Sequence, residues 1–253
     1  MPRQTSGRKA SADYLILDLE TVPDAQRWIR PEGTDDRPGT AFPPTWAHRI
    51  VAIGTLVLDH AYRVKRVGLV AAEPAEAPDQ RERALLAELS RLVGATRPTL
   101  VTYNGRSFDL PVIALRALCH GVPLRWYYGD RGMRSRYSED GHLDLCDWLA
   151  DHGATRAGKL DQVARLIGLP GKVGIDGSQV EGLFADGRLD LIESYCLADV
   201  AQTALLFLRF RLLQGRLPPA IYHARTEALL EALARDGRVD EVLAGLDRAH
   251  LLA

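Results

Sequence analysis

The stretch 14-YLILDLET-21 decides the fold of this chain. Tyr14 to Leu19 form a near-continuous apolar run, the pattern of a strand buried on both faces of an α/β sheet, and acids interrupt and close it. Asp18 and Glu20 are two residues apart, so on a strand their carboxylates point to one face. Two acids converging on an apolar strand repel each other and lose hydration unless a cation, protons or basic partners compensate them. A divalent ion with oxygen ligands does so most simply, and the chain offers no Cys/His set suited to structural zinc. Solvated acids at a strand end are the alternative for this pair taken alone.

Working outward, Pro23 ends the strand, and HRIVAIGTLVLD (48–59) and YRVKRVGLVAA (62–72) form an antiparallel pair. Residues 79–93 place Leu85, Leu86, Leu89, Leu92 and Val93 at helical spacing, and TLVTYN (99–104) reads as a further strand. Residues 107–119 form a helix with Ser107 as its cap, tolerant of Pro111 in its first turn and stopped by Gly121. The run 125–141 is irregular, 143–151 and 159–168 are helical, 168–180 is a Gly-rich loop, and a long helix spans 189–213. Two helical segments, 219–235 and 238–246, complete the chain. With neither a repeat nor a linker, this gives an N-terminal tail (1–12), one α/β domain (13–215) and a helical C-terminal extension (216–253).

Composition narrows the function classes. Of 253 residues, 46% are hydrophobic and 26% charged, which excludes a disordered chain, a collagen-like repeat and a disulfide-built miniprotein. The net charge of -1 gives no global case for a polyanionic partner, so any such case is local. No segment approaches a membrane span and the N-terminus lacks a secretion signal, so a cytoplasmic location is expected. Cys119, Cys146 and Cys196 form no CxxC pair and are expected as buried small hydrophobes in a reduced compartment.

Two further motifs carry acids. In YNGRSFDLPVI (103–113), Asn104 and Gly105 permit a tight turn from strand to helix, placing Asp109 in the first helical turn, where the dipole favours a negative side chain. In ESYCLADV (193–200), Tyr195 and Asp199 are four apart and share a helix face, as a simple Tyr–Asp hydrogen bond also requires. Together the four acids suit two oxygen-ligated Mg2+ or Mn2+ ions about 4 Å apart, the arrangement that generates a hydroxide and stabilises an oxyanion leaving group. Tyr195, with an ordinary phenolic pKa near 10, is a positioner of water rather than the base.

In these motifs the chain resembles the DEDD exonucleases of the ribonuclease H-like superfamily, specifically the predicted 3'-5' exonucleases related to the proofreading domain of family B DNA polymerases. DLET resembles the first motif, YNGRSFD the second and YCLAD the third, in the tyrosine form, since position 194 is Ser and not His. The resemblance implies a mixed central sheet flanked by helices. It also implies that Asp18 bridges both metals, that Glu20 and Asp199 complete the tighter site, and that Asp109 holds the second. GIDGSQV (174–180) resembles the subgroup as well, and Asp144 in HLDLCDWLA resembles an additional acid whose expected use is structural. His142 is expected as a local hydrogen-bonding residue.

The activity the resemblance implies is removal of nucleotides, as 5'-monophosphates, from the free 3' end of single-stranded DNA or RNA, with DNA the expected substrate and any protein partner unspecified. A catalytically silent binding module, an RNA-processing nuclease and an endonuclease stay open as alternatives. Thr21, Asn104, Ser107 and Phe108 are the candidate contacts to the terminal nucleotide. Arg134 and Arg136 belong to a positive aromatic stretch with Arg116, Arg125, Arg131, Trp126, Tyr127, Tyr128 and Tyr137, which suits phosphates and unpaired bases and which Lys159 and Lys172 extend.

Overall fold

Residues 12–31, 43–72, 77–174 and 177–253 are described by the computed structural model. Residues 1–11 of the expected tail, and Ile175 and Asp176 of GIDGSQV, lie outside them.

The sheet is mixed and five-stranded. The chain enters it through β1 (Tyr14–Pro23), turns back into β2 (His48–Leu58) and again into β3 (Val64–Leu69). After α1 (Pro78–Thr96), β4 (Thr99–Thr102) pairs parallel to β1 on its other side. Helices α2 (Asp109–His120), α3 (Arg125–Tyr128) and α4 (Arg131–Arg134) lead to β5 (His142–Asp144), which completes the order β3-β2-β1-β4-β5. Then follow α5 (Leu145–Leu149), α6 (Leu160–Arg165), α7 (Val180–Ala185) and α8 (Leu189–Leu213), and after them α9 (Pro219–Asp236), α10 (Asp240–Ala244) and α11 (Arg248–Leu252).

The alternation of β1 sorts its side chains between two cores. Leu15, Leu17 and Leu19 pack with residues of α1 and α2, including Leu86, Leu89 and Ile113, whereas Ile16 packs with α8 residues such as Ala201, Ala204 and Leu205. Burial on both faces is why β1 reads as an unbroken apolar run. Asp18 and Glu20 share the parity of Ile16 and so face α8.

Helix α8 lies close against the sheet at Gly54. A Cβ there would stand 2.8 Å from Val200 Cγ2 and 2.9 Å from Cys196 Sγ, and Gly54 pairs with Asp18 across the β1–β2 ladder. The missing side chain lets the helix bearing Tyr195 and Asp199 approach the strand bearing the first acids. We expect Gly54→Ala to lower stability by about 1–3 kcal/mol through overpacking, read as a reduced urea midpoint at unchanged slope.

On the other face, ions clamp the motif-bearing elements. Arg116 of α2 is 1% exposed and donates to Glu82 of α1 (2.7 Å) and to Asp24, just past β1 (2.8 Å). Arg49 of β2 also meets Asp24 (3.1 Å), and Glu82 accepts from the Ile50 backbone N–H (2.8 Å). Burial pulls the Asp24 carboxyl upward, but hydrogen bonds from Arg27 (2.8 Å) and Arg116 and the charges of Arg49 and Arg116 together hold it below its ordinary range.

Several expectations need correction. HLD (142–144) forms the edge strand β5 before the helix, because three residues offer too little periodicity to announce a strand. Short helices α3 and α4 occupy part of the run expected to be irregular, and α7 follows the Gly-rich segment. Ser107 does not cap α2: the helix begins at Asp109, with Phe108 at the cap position and no side-chain cap bond. Arg116 and Trp126 are buried rather than part of a positive surface. Cys119 is exposed and Cys146 half-buried, leaving Cys196 as the fully buried thiol. Finally, α8 is long and apolar enough to cross a membrane by length and composition, but 72% of its apolar window is buried inside the fold, as suits a core helix.

Candidate active site

Asp18 and Glu20 form the floor of the site on β1. One carboxylate oxygen of each and the Cys196 thiol all lie within 4.8 Å of one another. Cys196 Sγ is 3.5 Å from the Asp18 carbonyl and 3.8 Å from Asp18 Oδ2, the thiol donating. A register shift between Glu20 and Thr21 interrupts the β1–β2 ladder immediately after the two acids, and pairing resumes with Thr21 opposite Ile50.

Asp109 enters from α2, and the turn before it is held by Asp144. That carboxylate accepts from the backbone N–H groups of Asn104 (2.8 Å) and Arg106 (2.8 Å), and caps α5 through those of Cys146 (3.1 Å) and Asp147 (3.4 Å). Asn104 adopts a positive φ of 65°, and a Cβ on Gly105 would come within 2.5 Å of the Thr102 side chain. Asp144 is thus structural, and its turn delivers Asp109 to β1, where the Leu19 backbone hydrogen bonds to the Asp109 carboxylate.

Asp199 comes from α8, one turn after Tyr195, whose hydroxyl hydrogen bonds to it; Lys172 also acts on it electrostatically. All four acids have raised pKa values. Burial is the largest cause at Asp18, followed by the charges of Asp109, Asp199 and Glu20. Burial and then Asp199 and Asp109 raise Glu20, while burial pushes Asp109 and Asp199 each up to about 7. Four carboxylates from β1, α2 and α8 therefore share one electrostatic environment, as the spacing of the motifs requires.

The substrate candidates divide. Thr21 hydrogen bonds to His48 Nδ1 (3.0 Å), Phe108 packs edge-on against the His48 ring, and Asn104 and Ser107 are exposed on the turn before Asp109. Arg134 lies over the Tyr128 ring at 5.6 Å, and Arg136 is held by Asp147 (3.0 Å). Sequence reasoning missed Arg106, which joins these groups: its guanidinium donates to the backbone carbonyls of Arg134 (3.4 Å) and Ser135 (3.3 Å) and contacts His142 (3.1 Å). It also missed Gly54 and Cys196, whose importance lies in a close approach that no local motif announces. His142 is fully buried and hydrogen bonds to Thr102 Oγ1 (2.8 Å); burial and then Arg106 push its pKa down to about 3, fitting a local bonding role.

The donor chemistry fits a divalent metal. Hard carboxylate oxygens that raise one another's pKa gain stability when a cation replaces their protons. Asp79, Glu82 and His120 also cluster, but Arg27, Arg49 and Arg116 already match their charge, which makes that group an ion network rather than a metal centre.

The raised pKa values predict a pH-dependent stability. Between the ordinary carboxylate range near pH 4 and the folded values of about 7, the folded chain binds more protons than the unfolded chain, so stability falls as pH rises. In EDTA we expect the melting temperature to drop from pH 5 to pH 8, and Mg2+ or Mn2+ to reverse the drop at pH 8. Thermal melts with and without the ion check both halves.

Comparisons with known proteins bear on the family and on the fold. The family model described as "Predicted 3'-5' exonuclease related to the exonuclease domain of PolB" matches residues 40–246, which include Asp109, Tyr195 and Asp199; Asp18 and Glu20 precede the matched segment. No curated protein matches the chain. Among solved structures, the family B DNA polymerase of the hyperthermophilic archaeon Pyrobaculum calidifontis aligns over 89% of this chain and 28% of its own, at 21% identity and a TM-score of 0.55. E. coli exonuclease I in complex with a 5cy-dT13 oligonucleotide aligns over 84% of this chain and 42% of its own, at 14% identity and a TM-score of 0.43. The chain thus spans less than half the length of either solved protein. With a family match over most of its length, this chain belongs to the predicted 3'-5' exonucleases related to the exonuclease domain of PolB.

Proposed function

We propose that the protein is a metal-dependent 3'-5' exonuclease that shortens single-stranded nucleic acid from a free 3' end, with DNA as substrate and nucleoside 5'-monophosphates as products. The observation that carries this reading is the convergence of Asp18, Glu20, Asp109 and Asp199 from three elements into one electrostatically coupled set, with Glu20 and Asp109 buried and Asp18 and Asp199 half-buried. In this reading Asp18 would serve both of two Mg2+ or Mn2+ ions, with Glu20 and Asp199 completing one site and Asp109 serving the other. Such ions lower the pKa of attacking water and stabilise the departing oxygen.

The chain's own groups do the rest. Tyr195, hydrogen bonded to Asp199, orients the water with its hydroxyl and aligns the carboxylate. Thr21, Asn104, Ser107 and Phe108 flank the acids and are proposed to seat the terminal nucleotide. Tyr128 is 59% exposed, and with Arg134 over its ring it offers a stacking face for the preceding bases. Of the two arginines, Arg134 is the better placed, because Asp147 occupies Arg136. We further propose that residues 13–215 form the nuclease domain and that 216–253 are its helical extension, since α9 packs along α8. Three free thiols support a cytoplasmic location.

The test uses linear and closed-circular single strands. With Mg2+ or Mn2+, a 5'-labelled linear strand should give a descending ladder and a 3'-labelled strand a labelled mononucleotide from the first turnover. EDTA should stop both, and circles should survive. Cleavage of closed circles would instead establish an endonuclease.

A further inference from the structure

A second surface is cationic although the chain as a whole is not. A cleft of about 530 Å3 runs between the edge strand β3 and helix α9, lined by Arg63, Lys65, Arg66, Arg225 and Arg235. Its concavity comes from Ala228 and Ala232, one helical turn apart on α9, whose small side chains leave the floor open. The acid at its end, Asp236, is paired with Arg238 (2.6 Å), and Lys65 is paired with Asp13 (2.8 Å). Arg225 donates to the Ala61 carbonyl (2.8 Å), while Arg63, Arg66 and Arg235 are exposed and make no salt bridge among the described residues. With Lys65 paired to Asp13 and Asp236 to Arg238, four arginines remain, of which Arg63 and Arg66 feel Asp59 and Glu88 only electrostatically, and they form a positive strip in a chain of net charge -1.

The strip leads toward the acids. Asp18 pairs with Gly54 and Gly54 with Leu69, so the β3 backbone passes about 10 Å from Asp18, two strand spacings away. At that end of the cleft Arg238 lies beside Gly68 and acts electrostatically on Glu193, two residues before Tyr195. The four-acid pocket itself repels phosphate, so the affinity that brings a polyanion to it must come from elsewhere on the surface.

We infer that the cleft between β3 and α9 binds the phosphate backbone of the substrate strand upstream of its 3' end, around the N-terminal end of α8. This rests on the exonuclease reading, which supplies the strand. Contacts of this kind are independent of base sequence and lie beyond the reach of a very short oligonucleotide.

The test separates the two readings. Binding of fluorescein-labelled single strands of about 4 and about 20 nucleotides is measured by anisotropy in EDTA, and their hydrolysis with Mn2+, for the wild type and for Arg63→Glu/Arg66→Glu/Arg235→Glu. We expect the triple variant to bind the longer strand at least about tenfold more weakly, with a shallower dependence of log Kd on log salt by about 2, corresponding to roughly three lost phosphate contacts. Hydrolysis of the shorter strand should be unchanged, and Arg→Lys at the three positions should restore binding. Equal Kd and salt slope in the wild type and the triple variant would overturn the inference, as would polyglutamate competing as well as the oligonucleotide, which would mark a site for an acidic protein. If the wild type binds the longer strand through the cleft yet cleaves neither strand, the cleft stands and the exonuclease reading falls.

Discussion

Replacing Asp18 with Asn should abolish exonuclease activity, by about a thousandfold or more, and at the same time stabilise the metal-free protein. The first effect follows because Asp18 lies at the centre of the acid set, with its pKa raised by burial and by Asp109, Asp199 and Glu20 together. An amide keeps the shape but removes the charge that would hold the ions, and losses of transition-state stabilisation of this kind cost about 10²–10³ in rate or more. The second effect follows from the same repulsion: without that charge, Glu20 loses a neighbouring anion in EDTA at pH 8. Turnover on a 5'-labelled strand together with melting temperature in EDTA checks the pair. A variant that is more stable and inactive assigns Asp18 to the chemistry, whereas unchanged metal-dependent cleavage removes it from the mechanism.

The other large effect is on stability. Arg116→Ala should cost about 3–5 kcal/mol, because it leaves Glu82 and Asp24 buried without the guanidinium that pairs with both. Both carboxylates have side chains with no exposed surface, so water cannot take the place of the lost donor. Arg116 lies seven residues after Asp109 on the same helix, and Asp24 follows directly on β1. The ion network therefore sets the position of the second motif relative to the first, and residual activity should fall with stability. Urea unfolding measures the cost. Arg116→Lys, which keeps the charge but not the forked geometry, should recover only part of it.

Much of the architecture is legible in local pattern. The apolar run 14–19, the paired strands 48–59 and 62–72 and the helix 189–213 all appear close to where they were expected, since each is long enough for its period to show. Strand β5 has three residues and escaped notice, because its existence depends on β4 as a pairing partner rather than on its own composition. Ser107 illustrates the same limit. Its chemistry suits a helix cap, but Asp144, nearly forty residues later, already satisfies the backbone of this turn and moves the helix start to Asp109.

The order and spacing of DLET, YNGRSFD and YCLAD single out Asp18, Glu20, Asp109 and Asp199 as candidates, because parity on a strand and a four-residue step on a helix are local geometry, while their roles come from the family resemblance. Their meeting was decided by the tertiary structure. It depends on a glycine in β2 that lets α8 approach, on a buried arginine that ties α2 to β1, and on a carboxylate from β5 that shapes the turn. The positive cleft likewise joins residues some 160 positions apart, from β3 and α9. Contacts of this kind arise from packing between elements distant in the chain, and no local period or spacing encodes them.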